Sequence, residues 1–296
     1  MTKLAVVIVT YNRLELLKKS IKSLEQQTLK PDSVIIVNNA STDGVTKPYL
    51  DNYEGNLSLE VIHSSSNTGG AGGFHQGIKY AYEQGFDWIY VMDDDVVADK
   101  NCLAELIKIS QPCMLAVRED KQGIIVERAA FTYDFNSVFR LNPKGKMVCE
   151  AYQRRQDMPA TLTVNSSAFE GFMLNREVID KIGFPEAKYF ILYDDLDYVL
   201  RAVAAGYSIT AVRDAILVRQ LPFNPQDSVD SWKAFYAFRN LFHIHYKFGE
   251  NWSVKNRPYV LAVGAMLVYG LKYRKKKVLK DIFDALQCYK SLSDRT

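Results

Sequence analysis

Four cysteines, Cys102, Cys113, Cys149 and Cys288, form neither a CxxC pair nor a dense framework in these 296 residues. Neither a zinc site nor a disulfide scaffold is indicated, and a reducing, cytoplasmic setting is expected. Charge of one sign is also lacking. Thirty-seven basic residues against 34 acidic ones leave +3, too small an excess to point to a nucleic-acid partner, so any basic surface must be local. The N-terminal MTKLAVVIVTYNR has too short an apolar run for a secretory leader and no small-residue cleavage site, and reads as a first buried strand. No repeat, low-complexity segment, G-x-G-x-x-G after the first strand or Walker G-K-[ST] is found. What remains, 48% apolar and 24% charged, is ordinary globular usage for one large domain or two modest ones.

The first hundred residues alternate β-branched runs with amphipathic segments, the pattern of βα units on a mainly parallel sheet. Leu4 to Val9, Val34 to Val37, Leu59 to Ile62 and Trp88 to Met92 read as strands. Leu14, Leu17, Ile21 and Leu24 recur at helical spacing, and Phe74 to Gln84 and Lys100 to Ser110 are expected helices. Periodicity weakens from about residue 113 to 165, where runs such as Gly123 to Val126 are broken by turns, so a mixed-strand, loop-rich half is expected. Helices return at Arg176 to Ile182 and Asp195 to Ala205, with Gly206 as a stop, then at Trp232 to Phe248 and from Arg257 onward.

Three features carry chemistry. Asp93-Asp94-Asp95 ends an apolar strand, where ligands bind in open α/β sheets, and adjacent carboxylates suit a hard divalent cation shared with phosphates. A solvated acidic turn capping the next helix is the plainer alternative. Asp194-Asp195-Leu196-Asp197 follows the aromatic run Tyr189 to Tyr193 and opens a helix. N-capping explains one of these acids, and a carboxylate at the rim of an aromatic pocket has the environment of a general base. Asn67 to Phe74 holds four glycines in five residues before a helix, either a backbone cradle for phosphate or a flexible connector.

Together with Val7 to Arg13, Asn38 to Gly44 and Glu170-Gly171-Phe172, these blocks resemble family 2 inverting glycosyltransferases of the GT-A fold, in order over about residues 3 to 225. The Asn-Thr-Gly-Gly-Ala-Gly-Gly-Phe block with the triple aspartate is most similar to bacterial galactofuranosyltransferases, and rhamnosyltransferases share much of it. The resemblance implies a Rossmann-like, mainly parallel sheet flanked by helices over residues 1–225, with a helical extension over 226–296. It assigns Thr10, Tyr11 and Arg13 to the nucleotide pocket, with Asn38 where many relatives have a uracil-reading aspartate and Asp43 in the same block. Gly69, Gly70, Gly72 and Gly73, with Asp94, would face the diphosphate. Asp93 and Asp95 would hold Mn²⁺ or Mg²⁺. Asp195 aligns with the base and Asp194 with acceptor binding. Where relatives often carry a metal-ligating histidine, this chain reads Leu217 to Phe223, so Gln220 takes that position with Arg219 beside it. His243 and His245, on an aromatic helix, read as packing residues.

The implied reaction is single displacement with inversion. The favoured donor is UDP-galactofuranose, and the acceptor is a glycan or a polyprenyl-diphosphate-linked oligosaccharide. Other readings are rhamnosyl or other hexosyl transfer from a dTDP- or UDP-sugar, or an inactive nucleotide-sugar-binding protein, which the absent histidine motivates. Tyr259 to Leu271 is 13 residues, short of the roughly 20 that span a bilayer, and runs into Lys272, Arg274, Lys275, Lys276 and Lys277. Such an end suits peripheral attachment to the inner face of the plasma membrane, a helix packed on the core, or a homo-oligomer contact.

Overall fold

A computed structural model describes residues 2–222 and 231–293 of the chain. The 225/226 division expected from the resemblance, and Phe223 with it, lie outside the described residues. β1 (Leu4–Thr10) and β2 (Ser33–Asn38) are Val- and Ile-rich runs, and β4 (Trp88–Asp93) is the mixed apolar run Trp-Ile-Tyr-Val-Met before its aspartate; all three are buried on both faces, as expected of parallel strands covered by helices. β3 (Leu59–His63) completes a parallel set in the order β3-β2-β1-β4.

Beyond β4 the sheet becomes mixed. β8 (Phe172–Asn175) runs antiparallel to both β4 and β6 (Cys113–Glu119), and β9 (Ile209–Arg219) lies parallel to β6. β5 (Val96–Ala98) and β7 (Thr161–Val164) pair antiparallel with β9. The loop-rich reading holds from 120 to 160, where Gly123 to Val126 contributes only an isolated bridge, Glu119 to Ile125. It does not single out β6, whose short apolar run Cys113 to Val117 ends in Arg118 and Glu119, two charged residues that are nonetheless buried.

Helices α1 (Leu14–Glu25), α2 (Thr46–Asp51), α3 (Gly69–Glu83) and α4 (Cys102–Ile109) connect the first strands. α5 (Val148–Ala151), α6 (Arg176–Ile182) and α7 (Asp194–Ala204) follow. Separate apolar layers cover the two faces of the sheet. Val7, Val9, Phe74, Ile78 and Val199 pack on one side, and Ile8, Leu17, Ile21, Ile36 and Leu103 on the other. The glycine-rich stretch is not a loop: Gly69 at φ +73° turns the chain straight into α3. At Gly73 and Gly77 a Cβ would lie 2.5 Å from a Val9 methyl and 2.4 Å from a Val7 methyl, so their absence lets α3 sit directly on β1.

The C-terminal region is helical as expected: α8 (Ala234–Phe248), α9 (Trp252–Lys255), α10 (Arg257–Leu267), continued by a π-turn over Val268–Lys272, and α11 (Lys276–Cys288). α8 has two apolar faces. Phe238 and Phe242 pack on Ala262, Ile282 and Ala285 of the C-terminal bundle, while Ile244 joins Ala71, Tyr189 and Leu200 against the sheet-bearing part.

Candidate active site

The carboxyl ends of β1, β2 and β4 open on one side of the sheet and carry the polar groups. Thr10 closes β1, and its Oγ1 donates to Asp94 Oδ2 (2.7 Å). Arg13, half-exposed at the start of α1, reaches Asp94 Oδ1 (3.3 Å) and Asp95 Oδ2 (3.2 Å). Ser20 of α1 fixes the turn from below by donating to the carbonyls of Asp94 and Val96. Tyr11 stands exposed beside them. Asn38 is buried, its Nδ2 3.0 Å from His63 Nδ1 and its Oδ1 accepting from the Ser41 amide (3.1 Å). His63 Nε2 continues this chain to Asp51 (2.8 Å). Asp43 is exposed and caps α2 through the amides of Val45 and Thr46. Among the four glycines from Gly69 to Gly73, Gly70 is the one with open space where a side chain would be, whereas Gly69 lies against the Phe190 carbonyl and Gly72 against Thr68.

A third acid joins the aspartates. Carboxylate oxygens of Asp93, Asp95 and Glu170 lie within 4.8 Å of one another. Glu170 precedes β8 and is held by Arg118 Nη1 (2.9 Å) and Arg219 Nη2 (2.6 Å), with Arg118 also gripping Glu127 through two 2.8 Å bonds. Burial pushes the Asp93, Asp94 and Asp95 carboxyls up, Asp94 to about 6, and the charge of Glu170 adds to the rise at Asp93 and Asp95. Asp95 Oδ1 is buried without a hydrogen-bond partner. Clustered, desolvated carboxylates with an orphan oxygen fit a hard divalent cation. Gln220 sits beside this group: its amide N–H donates to the Asp95 carbonyl (2.9 Å), while its side-chain Nε2 donates to Val218 O (3.0 Å).

Asp194 and Asp195 open α7, behind a turn in which Phe190, Leu192 and Tyr193 all have positive φ. Each such residue costs roughly 1–3 kcal/mol and persists only where its surroundings hold it. Burial raises the Asp195 carboxyl to about 6, the Leu196 amide opposes the rise, and Glu170 adds to it. The charge of Glu170 adds to the rise at Asp93, Asp95 and Asp195 alike, so both acidic motifs lie within electrostatic reach of one carboxylate. Asp194 is buried and raised further, by desolvation and then by Asp195. Asp197, the third acid of the motif, is structural: it accepts from Tyr189 Oη (3.1 Å), Arg201 Nε (3.0 Å) and Lys247 Nζ (2.5 Å).

His243 and His245 pack as expected, His243 with Nδ1 2.9 Å from Tyr289 O and His245 edge-on to Phe135, both pushed down by burial. In the sequence Glu170 stands only as part of the Glu170-Gly171-Phe172 block and Arg118 has no motif around it, so the partnership of the two is visible only in the fold. Along the same side of β6 and β9, Lys121, Arg128, Arg219 and Gln220 line a cleft of about 560 Å³. Among the described residues no helix is long and apolar enough to cross a membrane.

Residues 5–183 match the family model described as glycosyl transferase family 2. The chain is 30% identical over 254 residues to galactofuranosyltransferase GlfT1 of Mycobacterium tuberculosis, covering 80% of each chain. It is 25% identical over 235 residues to the O-antigen chain rhamnosyltransferase RfbN of Salmonella typhimurium, covering 76% of this chain and 68% of that one. Solved structures share the fold. One is S. aureus TarS 1-349 in complex with UDP-GlcNAc, with a TM-score of 0.58 and 17% identity over 99% of this chain and 82% of that one. Another is GalNAc-T7 with UDP, GalNAc and Mn²⁺, with a TM-score of 0.62 and 14% identity over 98% of this chain and 56% of that one.

Proposed function

We propose, from the premise that the chain belongs to glycosyl transferase family 2 and is a glycosyltransferase, that it moves galactofuranose from UDP-galactofuranose onto a hydroxyl of a cell-surface glycan or lipid-linked acceptor. The observation that carries the reading is the grouping of Asp93, Asp95 and Glu170 with carboxylate oxygens within 4.8 Å of one another, with the buried Asp195 at the start of α7 within electrostatic reach of Glu170. Asp195, raised to about 6, is ionised near neutrality yet basic enough to take a hydroxyl proton. The acceptor oxygen attacks the anomeric carbon, its proton passes to Asp195, and the bond to the nucleoside diphosphate breaks on the opposite face. One displacement inverts the anomer. Asp194, buried behind the base, keeps the first turn of α7 in place and lines the acceptor side.

Thr10, Tyr11, Arg13, Asn38 and Asp43 flank the nucleotide side, and Gly70 offers backbone without a side chain to the diphosphate. Asp93 and Asp95 would hold Mn²⁺ or Mg²⁺, with Gln220 and Glu170 adjacent. When bound, the cation supplies Lewis-acid charge against the departing diphosphate. Arg13 and Arg219 tether Asp94, Asp95 and Glu170, so the acidic group keeps its shape. A panel of nucleotide sugars tests the donor: release of UDP from UDP-galactofuranose with Mn²⁺, removed by chelator, is expected, and preferential turnover of a dTDP-sugar would replace this donor with a rhamnosyl-type one.

On the acceptor side the reading extends to an anionic membrane surface at the inner face. Val260, Val263, Leu267 and Leu271 project outward along α10 and its π-turn, and Phe283 of α11 joins them. An apolar groove of about 710 Å³ lies between these helices. In the sequence the basic run from Lys272 to Lys277 follows directly on Leu271, and basic side chains beside an apolar helix favour anionic headgroups. Self-association of the chain through the same face is the competing outcome.

A further inference from the structure

The turn before the base is strained, and it is restrained from two sides: the Ala71 amide of α3 donates to the Phe190 carbonyl (3.0 Å), and the C-terminal region holds the carbonyls on either side of it. Phe190, with φ +64° and ψ −59°, centres a three-residue turn in which the Ile191 amide donates to the Tyr189 carbonyl (2.8 Å). That conformation is rare, and Leu192 (φ +67°) and Tyr193 (φ +69°) follow it with no glycine among them. Fully buried Asn240, on α8, turns its amide onto the outside of the turn. Its Nδ2 donates to the carbonyls of Tyr189 (3.1 Å), Ile191 (2.8 Å) and Leu192 (2.8 Å). The Asn240 Oδ1 accepts from Arg239 Nε (2.9 Å), whose Nη2 donates in turn to the Lys188 (2.9 Å) and Tyr189 (2.8 Å) carbonyls. Lys247, two turns further along α8, reaches Asp197 on α7 (2.5 Å).

We propose that Asn240 is the positioning residue for Asp195: by sharing its two amide protons among three carbonyls of the turn it fixes where α7 begins, and so where the base points. The inference rests on the reading of Asp195 as general base. A side-chain amide brings two protons to one point, which neither a leucine nor a serine of similar reach does. Residues beyond 230 are then part of the catalytic unit rather than an appendage to it.

The test is Asn240→Leu in the full chain, with UDP affinity measured calorimetrically in Mn²⁺ alongside kcat and KM for transfer. Misplacing a reacting group by about 1 Å costs about 10²-fold, so kcat should fall by that order while UDP affinity and acceptor KM stay within about twofold. Where Asn240→Leu fails to fold, Arg239→Met removes the two outer contacts from a partly exposed position and should give the same split at about tenfold. In an Asp195→Asn background, Asn240→Leu should cost no further kcat. A kcat close to that of the unmodified protein in the folded variant overturns the proposal, as does a parallel loss of UDP affinity or an additive loss in the double variant. If Asp195→Asn alone keeps its activity, the base assignment itself falls, and the role of Asn240 toward Asp195 with it.

Discussion

Residues 4–119 and residues 120–293 present their polar groups by opposite means. In the first half the groups stand at the ends of buried strands. Thr10, Asn38 and Asp93 each terminate a buried apolar run, and parallel pairing in register brings those ends to one edge. In the second half Glu170 sits on the bend before β8, and Asp194 and Asp195 open α7 directly behind a strained turn; the tethers come from Arg118, Arg219, Arg239 and Asn240. A strand end holds its residue through ladder bonds and burial. A strained turn holds its residue only through partners distant in sequence, so the second half should be the more fragile toward single substitutions and the first half toward loss of charge.

Removing the base should have the largest effect. Asp195→Asn is expected to lower transfer by about 10²- to 10⁴-fold with donor affinity nearly intact, measured as kcat against calorimetric UDP binding. Equal loss of both would shift Asp195 to the donor half and break the comparison. Asp93→Asn and Asp95→Asn come next, with an expected loss of about 10²- to 10³-fold, the size seen when one contact to developing charge is removed. The first half should show this loss together with weaker Mn²⁺-dependent UDP affinity, and an unchanged response to chelator would remove the metal from the account. The pH dependence is smaller. A carboxyl raised to about 6 is protonated below that value and cannot accept a proton, so kcat should climb through pH 6, about tenfold per unit on the acid side. A limb near 4 instead would mean that the Asp195 site is wetter than its burial indicates. Neutralising Lys272, Arg274, Lys275, Lys276 and Lys277 should have the least influence on turnover of a water-soluble acceptor. It should reduce flotation with anionic liposomes, at about 1 kcal/mol per charge. Unchanged flotation would end the membrane reading, and a shift in sedimentation instead would favour self-association.

The unequal legibility of the halves follows from the same contrast. β1, β2 and β4 announce themselves because burial on both faces demands unbroken apolar runs, and the acids are conspicuous because they end such runs. The family resemblance and the GT-A architecture were readable for this reason. Glu170 was not, since a single acid in SSAFEGF has no local pattern and its meaning comes from two arginines on other strands. Nor was the grip of Asn240. Phe-Ile-Leu-Tyr contains none of the glycine or asparagine that normally mark positive φ, so sequence alone gives no reason to look for a clamp. The glycine-rich block misled in the other direction. Glycines in a row suggest slack chain, whereas here four of them start a helix, and Gly73, with Gly77 one turn on, is where that helix touches β1 without a side chain between.

Gly73 and Gly77 carry one more consequence. With those two Cβ atoms absent, α3 lies directly on Val7 and Val9 of β1, the strand that ends in Thr10. The spacing between helix and strand is therefore set by missing atoms. An alanine at either position would act as a shim, lifting α3 off β1 while leaving every polar residue in its place in the sequence.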